Sequence, residues 1–338
     1  MRRQIRRFLA ALMIGWVATW ISVSGQAREA GQKDQTVQKP IDINSTTPPP
    51  NVDPARPTRQ IWSGKPDPTA ACPTFWDFAQ FRKCALVKMK TFNPARTPDG
   101  KPDMNGKWML SRGQQDIEEI QLGQYIFHPH TNSTVVEPAD GRIPYYPWAR
   151  ALKNELESKY ISPSTMCLPR GPIRAVTASD VYIVQQPHSV LFYQEREHLA
   201  RIVPMDNRPH LASRVKLWYG TARGHWEGNT LVIETANIKD VDWLDNQGSF
   251  VSDEVRQVER FTFVDAKTLL YEQIVTDPKV FTQPMTIGHA LRRSTDRDIE
   301  LEILEDDRVE NCHQELEHYY SQGLKVYPGF AGVVPERK

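Results

Sequence analysis

Ionisable side chains that could carry out acid–base chemistry cluster in the second half of the chain, where polar and apolar residues alternate. Histidine is the residue type most often used for acid–base catalysis, and a carboxylate from Glu195 or Asp245 could orient the ring of His210 for proton transfer. Arg201 and Arg208 could bind an anionic group or a developing oxyanion. The alternative is that these residues form surface ion pairs and turns, so a catalytic role and a structural role both stay open.

Three tryptophans lie in the same half of the chain. Trp218, Trp226 and Trp243 could line an apolar pocket at the mouth of a β-barrel and bind a ligand there. Their alternative role is packing in the core. The neighbours Glu259 and Arg260 are interpreted as a buried structural pair.

Several other kinds of chemistry lack their sequence motifs. The chain has no Gly-x-Ser-x-Gly nucleophile motif, no phosphate-binding loop and no dinucleotide fingerprint. It has no His-Glu-x-x-His motif either, so we expect neither a metal nor an organic cofactor. Without the four arginines of residues 1–27, the 42 Lys and Arg residues fall to 38 against 41 acidic ones. This balance, with no basic stripe, argues against a nucleic-acid partner.

The spacing of apolar residues after position 180 predicts the elements that hold these side chains. Apolar and polar residues alternate with period two, and short turns separate the runs. Residues 258–264 are predicted to pair with residues 269–275, and Gly228 is expected to adopt positive φ in a tight turn. Strands joined by short turns, without helices between them, predict a mainly β fold: an antiparallel meander that forms a barrel, with a few short helices N-terminal to it.

The composition divides the chain into five segments. Residues 1–27 have an arginine-rich head and an apolar run, which predicts a signal peptide, with a retained membrane anchor as the alternative. Residues 28–70 are predicted to be a disordered linker, and residues 71–104 a short helical segment. Residues 105–325 form the predicted barrel domain, with a helix near 147–160, and residues 326–338 form a tail. We therefore expect a periplasmic or secreted protein with no membrane span once the signal is removed.

Four cysteines follow the signal segment: Cys72, Cys84, Cys167 and Cys312. An even number in an exported protein predicts two disulfides, for which three connectivities are possible. We favour Cys72–Cys84, which would clip the short helical segment, together with Cys167–Cys312.

Several fragments together resemble a family of exported bacterial proteins of uncharacterised function. They are Pro147-Trp148-Ala149, Cys-Leu-Pro-Arg-Gly-Pro at 167–172, Asp206 with Arg208 and His210, Gly-His-Trp-Glu-Gly-Asn-Thr-Leu-Val at 224–232, Val-Glu-Arg-Phe at 258–261, Asp277-Pro278 and Cys312-His313. The family pattern has Asp where this chain has Asn229, and Cys-His-Glu where this chain has Cys-His-Gln. The resemblance covers roughly residues 100–325 and implies a domain boundary rather than an activity. Gly106-Lys107-Trp108 is also similar to the Gly-x-Trp that opens lipocalin-like barrels.

These observations lead to three functional hypotheses. The first is an exported binding protein for a small, largely apolar or aromatic molecule. The second is a cofactor-independent isomerase, lyase or hydrolase that uses His210 and a carboxylate for acid–base catalysis. The third is a cell-envelope interaction module.

Overall fold

Antiparallel β-sheet is the main regular structure of the described chain, as the period-two alternation predicts. The structure is a computed structural model, and it describes residues 70–72, 78–110, 117–118, 133–166, 168–178, 180–194, 199–294 and 320–333. In chain order the strands are β1 (Gly106–Leu110), β2 (Val135–Glu137), β3 (Tyr160–Ile161), β4 (Val181–Gln186), β5 (Ser189–Gln194), β6 (Ala200–Pro204), β7 (Thr221–Glu227), β8 (Thr230–Ala236), β9 (Arg256–Asp265), β10 (Thr268–Thr276), β11 (Met285–Arg293) and β12 (Lys325–Val326). The helices are α1 (Phe78–Lys88), α2 (Pro147–Lys159), α3 (Pro172–Ala178) and α4 (Phe330–Val333), with a 3₁₀ turn at Pro163–Met166.

The large sheet curls until its two edge strands face each other. Its strand order is β6-β5-β4-β1-β11-β10-β9-β8-β7, and β2 pairs with β11 beside this path. At the remaining gap β6 and β7 come together, and Val203 Cγ1 lies only 3.0 Å from where a Cβ on Gly224 would be. The predicted mainly β, barrel-like fold is therefore confirmed, and the barrel is nearly closed.

Local sequence sets the two hairpins that were predicted in detail. β9 pairs with β10, with Phe263 opposite Leu269 and Val258 opposite Ile274, as expected. β7 and β8 are joined by a two-residue turn, in which Gly228 has φ +60°. Positive φ at the first central position is typical of a type II′ turn, a turn that suits the twist of a hairpin.

The inward-facing side chains of the strands fill the barrel with a continuous core. Aromatic rings pack against one another in the interior. The ring centroids of Phe192 and Phe261 are 5.3 Å apart, and those of Phe261 and Tyr271 are 4.5 Å apart. Trp108, the tryptophan of the Gly-x-Trp motif, is fully buried in this core, and its Nε1 donates a hydrogen bond to Met104 O at 2.8 Å.

α1 covers part of the outer surface of the barrel. Phe78, Phe81 and Ala85 of this helix pack on β11, and Gly288 makes room because a Cβ there would overlap the Phe78 ring. Cys84 of α1 forms a disulfide with Cys72, so this predicted pair is confirmed. The other predicted pair, Cys167–Cys312, lies outside the described residues, as do the signal segment and the linker.

A second core closes one end of the barrel. α3 crosses this end, where Ile173 O accepts a hydrogen bond from Gln273 Nε2 at 2.8 Å. Beyond it, Trp243 packs edge-to-face on Tyr327, with ring centroids 5.5 Å apart. The helix predicted near residues 147–160 is α2, and its buried Ala149 and Leu156 belong to the same core. Among the described helices, none is long and apolar enough to cross a membrane.

Candidate functional site

A cavity of about 430 Å³ opens at the end of the barrel opposite α3. Gln185 of β4 pairs with Val190 of β5, and Trp226 of β7 pairs with Leu231 of β8. All four residues therefore lie at the end of the sheet where these two hairpins turn. Val190, Met205 and Trp226 supply an apolar wall. The cavity is thus the mouth of the barrel, with a half-buried indole at its edge.

The opposite wall of this mouth cavity is polar and is held in place by hydrogen bonds. Its loop carries Asp99, Lys101 and Asn105. Gln185 ties the loop to β4, because its Nε2 donates to Pro102 O at 3.0 Å and its backbone N–H donates to Asn105 Oδ1 at 2.7 Å. The polar wall is therefore held in place before any ligand arrives, which reduces the entropy cost of binding.

Of the three predicted tryptophans, Trp226 lines the mouth cavity and the other two lie elsewhere. Trp218 donates from Nε1 to Pro169 O at 2.7 Å, beside the irregular segment before α3. Trp243 is only 2% exposed and belongs to the second core. The structure therefore does not bring the three indoles into one pocket.

His210 borders a second cavity, of about 560 Å³. The ring lies in the loop between β6 and β7, and the wall includes Lys216 from the same loop. Asp253, Glu254 and Arg256, just before and at the start of β9, add three charges. Among the described residues, these two carboxylates are the acidic groups that share the cavity with His210.

Asp245, one of the two carboxylates predicted to orient His210, is not found beside it. His210 Nδ1 lies 2.9 Å from the hydroxyl oxygen of Thr221. Asp245 is fully buried and organises its own loop, because Oδ1 accepts hydrogen bonds from the N–H groups of Gln247 at 2.8 Å and Ser249 at 3.1 Å. Glu195 lies outside the described residues.

Arg201 points into the barrel and is held there by a carboxylate. Its Nη1 donates to Glu259 Oε1 at 2.9 Å and its Nη2 donates to Oε2 at 2.6 Å. Thr235 Oγ1 accepts a further bond from Nη2 at 2.8 Å, and Tyr271 donates its hydroxyl to Glu259 at 3.0 Å. Burial lowers the pKa of the Arg201 guanidinium, but Glu259 more than offsets this, so the pKa stays above its ordinary value.

Arg208 has the opposite environment. Its side chain is 68% exposed and pairs with Asp206 of the same loop, with Nε 2.7 Å from Oδ2. The hydrogen bonds from Arg208 lower the pKa of the Asp206 carboxyl below its usual value. Both arginines are therefore engaged by carboxylates, although only Arg201 is inside the barrel.

The interpretation of Glu259 and Arg260 as a pair is wrong. Neighbours in a strand point to opposite faces of the sheet, so Glu259 faces inward to Arg201 while Arg260 faces outward. There Arg260 Nη2 donates to Glu227 Oε2 at 2.8 Å. The inward position of Glu259 does follow from the alternation of β9, but its partner comes from a strand 58 residues away.

The closed end of the barrel interior is polar, a feature that the sequence reasoning missed. Gln194, Gln257 and Gln273 are inward-facing and at most 1% exposed. Within the described residues, the side-chain oxygens of all three have no hydrogen-bond partner. The available signal was glutamine at inward positions of β5, β9 and β10.

Comparisons of this chain with protein-family models, with curated proteins and with solved structures found no match. The similarity to lipocalin-like barrels therefore rests on the nearly closed antiparallel sheet alone.

Proposed function

We propose that this protein is exported and binds a small molecule with an aromatic ring in the mouth cavity beside Trp226. The observation that carries the proposal is the position of this indole at the open end of a barrel whose other end is closed by α3. Ligand cavities in barrels commonly lie at such mouths and span about 300–1,000 Å³. The volume of about 430 Å³ is within that range.

The two walls define the class of molecule. Trp226, Val190 and Met205 offer an apolar surface on which a flat ring can stack. Lys101, in the polar wall of the same cavity, can donate hydrogen bonds to a ligand. The best fit is therefore an aromatic compound with a polar substituent on one edge, such as a phenol or an aromatic amide, rather than a purely apolar hydrocarbon.

Export is part of the same proposal. It is supported by the predicted signal peptide and by the Cys72–Cys84 disulfide, since such bonds persist in oxidising compartments. The family resemblance of residues 100–325 points in the same direction. Mass spectrometry of protein recovered from the periplasm or medium of expressing cells should show a chain that begins after residue 27.

Calorimetric titration tests the binding proposal, with p-cresol and benzamide as probes and toluene as the apolar comparison. Both polar probes should bind more tightly than toluene. Trp226→Leu should weaken their binding about two- to tenfold, because stacking contributes about 0.5–1.5 kcal/mol beyond area burial. Trp218→Leu is the matched control and should leave affinity unchanged. If the two substitutions weaken binding equally, or if no probe binds, the proposal is wrong.

The enzyme hypothesis is a second candidate, favoured by one observation. His210 borders a cavity of about 560 Å³ that also contains Asp253 and Glu254, so an acid–base residue and carboxylates share an accessible space. Asp245, one of the predicted carboxylates, is not among them, and the other, Glu195, lies outside the described residues. A cofactor-independent isomerase or lyase is the reaction class that such a set could support.

A further inference from the structure

A chain of hydrogen bonds from Asn237 through Thr221 reaches Nδ1 of His210 and determines which ring nitrogen carries the proton. Thr221, the first residue of β7, is buried, and its Oγ1 lies 2.9 Å from His210 Nδ1. The other two neighbours of this hydroxyl are oxygen atoms: Asn237 Oδ1 at 3.1 Å and Ala236 O at 3.4 Å. Both can only accept a hydrogen bond.

The orientation of the Asn237 amide is fixed by its other contacts. Its Nδ2 donates to Ala212 O at 2.9 Å and to Val215 O at 3.0 Å. Turning the amide over would place its oxygen against these two carbonyl oxygens and lose both bonds, so Oδ1 must face Thr221. The backbone of Asn237 has φ +62°, a conformation that asparagine tolerates better than most residues.

These contacts determine the tautomer of the neutral ring. The Thr221 hydroxyl has one proton and lies between two acceptors, so it donates that proton to them and its oxygen accepts from His210. If it donated to His210 instead, three oxygen lone pairs would face each other in a buried site. We infer that the Asn237–Thr221–His210 chain holds the proton of neutral His210 on Nδ1 and presents Nε2 to the cavity as a base.

The charges around the cavity indicate what Nε2 would act on. Lys279 binds both carboxylates, with its Nζ 2.6 Å from Asp253 Oδ1 and 3.3 Å from Glu254 Oε1. Lys216 donates to the backbone oxygen of Asp253, which is neutral. Lys216 and Arg256 line the cavity, and Lys279 binds the two lining carboxylates without being part of the lining itself. The three cations exceed the two carboxylates by one charge, which favours an anionic ligand.

The charges and the tautomer together define the class of ligand for this cavity, an assignment that rests on the second candidate function, acid–base catalysis by His210. The ligand is a small carboxylate with a hydroxyl or acidic C–H group close to its charge. Lys216 and Arg256 bind the carboxylate, while the apolar wall that includes Leu211 and Pro278 contacts the rest of the molecule. Nε2 takes a proton from the ligand, the imidazolium keeps its Nδ1–H on Thr221, and the proton returns to another atom of the same molecule. Thr221 and Asn237 are positioning residues.

NMR of ¹⁵N-histidine-labelled protein at alkaline pH tests the tautomer directly and needs no substrate. The native protein should show a protonated Nδ1 and an unprotonated Nε2 at His210. Thr221→Ser keeps the hydroxyl and should keep this pattern. Thr221→Val removes the hydroxyl at nearly constant volume and should shift the proton towards Nε2, the tautomer that predominates in free histidine. A proton on Nε2 in the native protein, or an unchanged pattern in Thr221→Val, would overturn the assignment.

A titration with mandelate tests the ligand class separately. Phenylacetate, which lacks the hydroxyl, and mandelamide, which lacks the charge, are the matched comparisons. Mandelate should move the His210 Nε2 resonance with saturation, the two comparisons should do so at least tenfold more weakly, and Arg256→Gln should weaken mandelate. Equal responses to mandelate and phenylacetate would refute the role of the hydroxyl, and no response to any of them would refute the ligand class. The tautomer result does not depend on this outcome, so the two failures can be told apart.

Discussion

Arg201 and Arg208 lie close together in the sequence, yet they occupy opposite environments. Arg201 is an inward-facing residue of β6, and it is locked to Glu259 by two hydrogen bonds inside the barrel. Arg208 lies in the next loop, exposed to solvent and paired with Asp206. The sequence predicts the same anion-binding role for both. Their positions relative to the sheet give them different energies, because only the buried pair is removed from water.

The difference bears on where a ligand can bind. A ligand anion at Arg201 would have to displace Glu259 from a bidentate contact, and the displaced carboxylate would be left buried without a partner, which is very unfavourable. The interior pair is therefore better suited to fixing the way β6 meets β9 across the barrel than to binding a ligand. The cavities at the mouth and beside His210 are accessible without such a rearrangement.

The largest expected effect comes from breaking the interior pair. Arg201→Met should lower the free energy of unfolding by about 3–5 kcal/mol, because it leaves the Glu259 charge buried and uncompensated. Adding Glu259→Gln should recover much of this loss, since glutamine is neutral and can still accept the bond from Tyr271. Urea denaturation measures all three proteins. A double variant less stable than Arg201→Met would contradict the account.

Gly220 and Gly228 extend the comparison to two glycines with nearly the same positive φ. They have φ +61° and +60°, but a Cβ on Gly220 would overlap Ala236 O, whereas nothing lies within 4 Å of one on Gly228. Gly220→Ala should cost about 3 kcal/mol from overlap and left-handed strain together. Gly228→Ala should cost about 1–2 kcal/mol from strain alone. Thermal or urea unfolding distinguishes them, and equal losses would show that surroundings do not matter at these turns.

The smallest effect is expected at the exposed pair. Arg208→Ala should leave the free energy of unfolding nearly unchanged, as is usual for surface ion pairs. The pKa of the Asp206 carboxyl should rise towards its ordinary value, which an NMR titration of that carboxyl can measure. A lowered carboxyl pKa stabilises the fold above the pH at which the group ionises in the unfolded chain, and this stabilisation disappears as the pH falls through the folded pKa. A loss as large as that of Arg201→Met would remove the contrast between the two arginines.

The sequence by itself determined the local elements. The period-two alternation predicted the strands, including the pairing of β9 with β10, and the glycine at 228 predicted the turn between β7 and β8. The helix near 147–160 and the Cys72–Cys84 bond were also predicted correctly. These features depend on backbone geometry and contacts within a few residues, or on a short closed loop, so a linear pattern contains them.

The tertiary structure alone decided which side chains meet. Arg201 pairs with Glu259 rather than with a nearer acid, His210 contacts the Thr221 hydroxyl rather than Asp245, and Trp226 lines its cavity without Trp218 or Trp243. Such contacts depend on strand order and on how far neighbouring strands are displaced along each other, because these set which inward positions lie at the same level of the barrel. Alternation fixes the face on which a side chain lies, but its partner on that face is fixed only when the sheet closes.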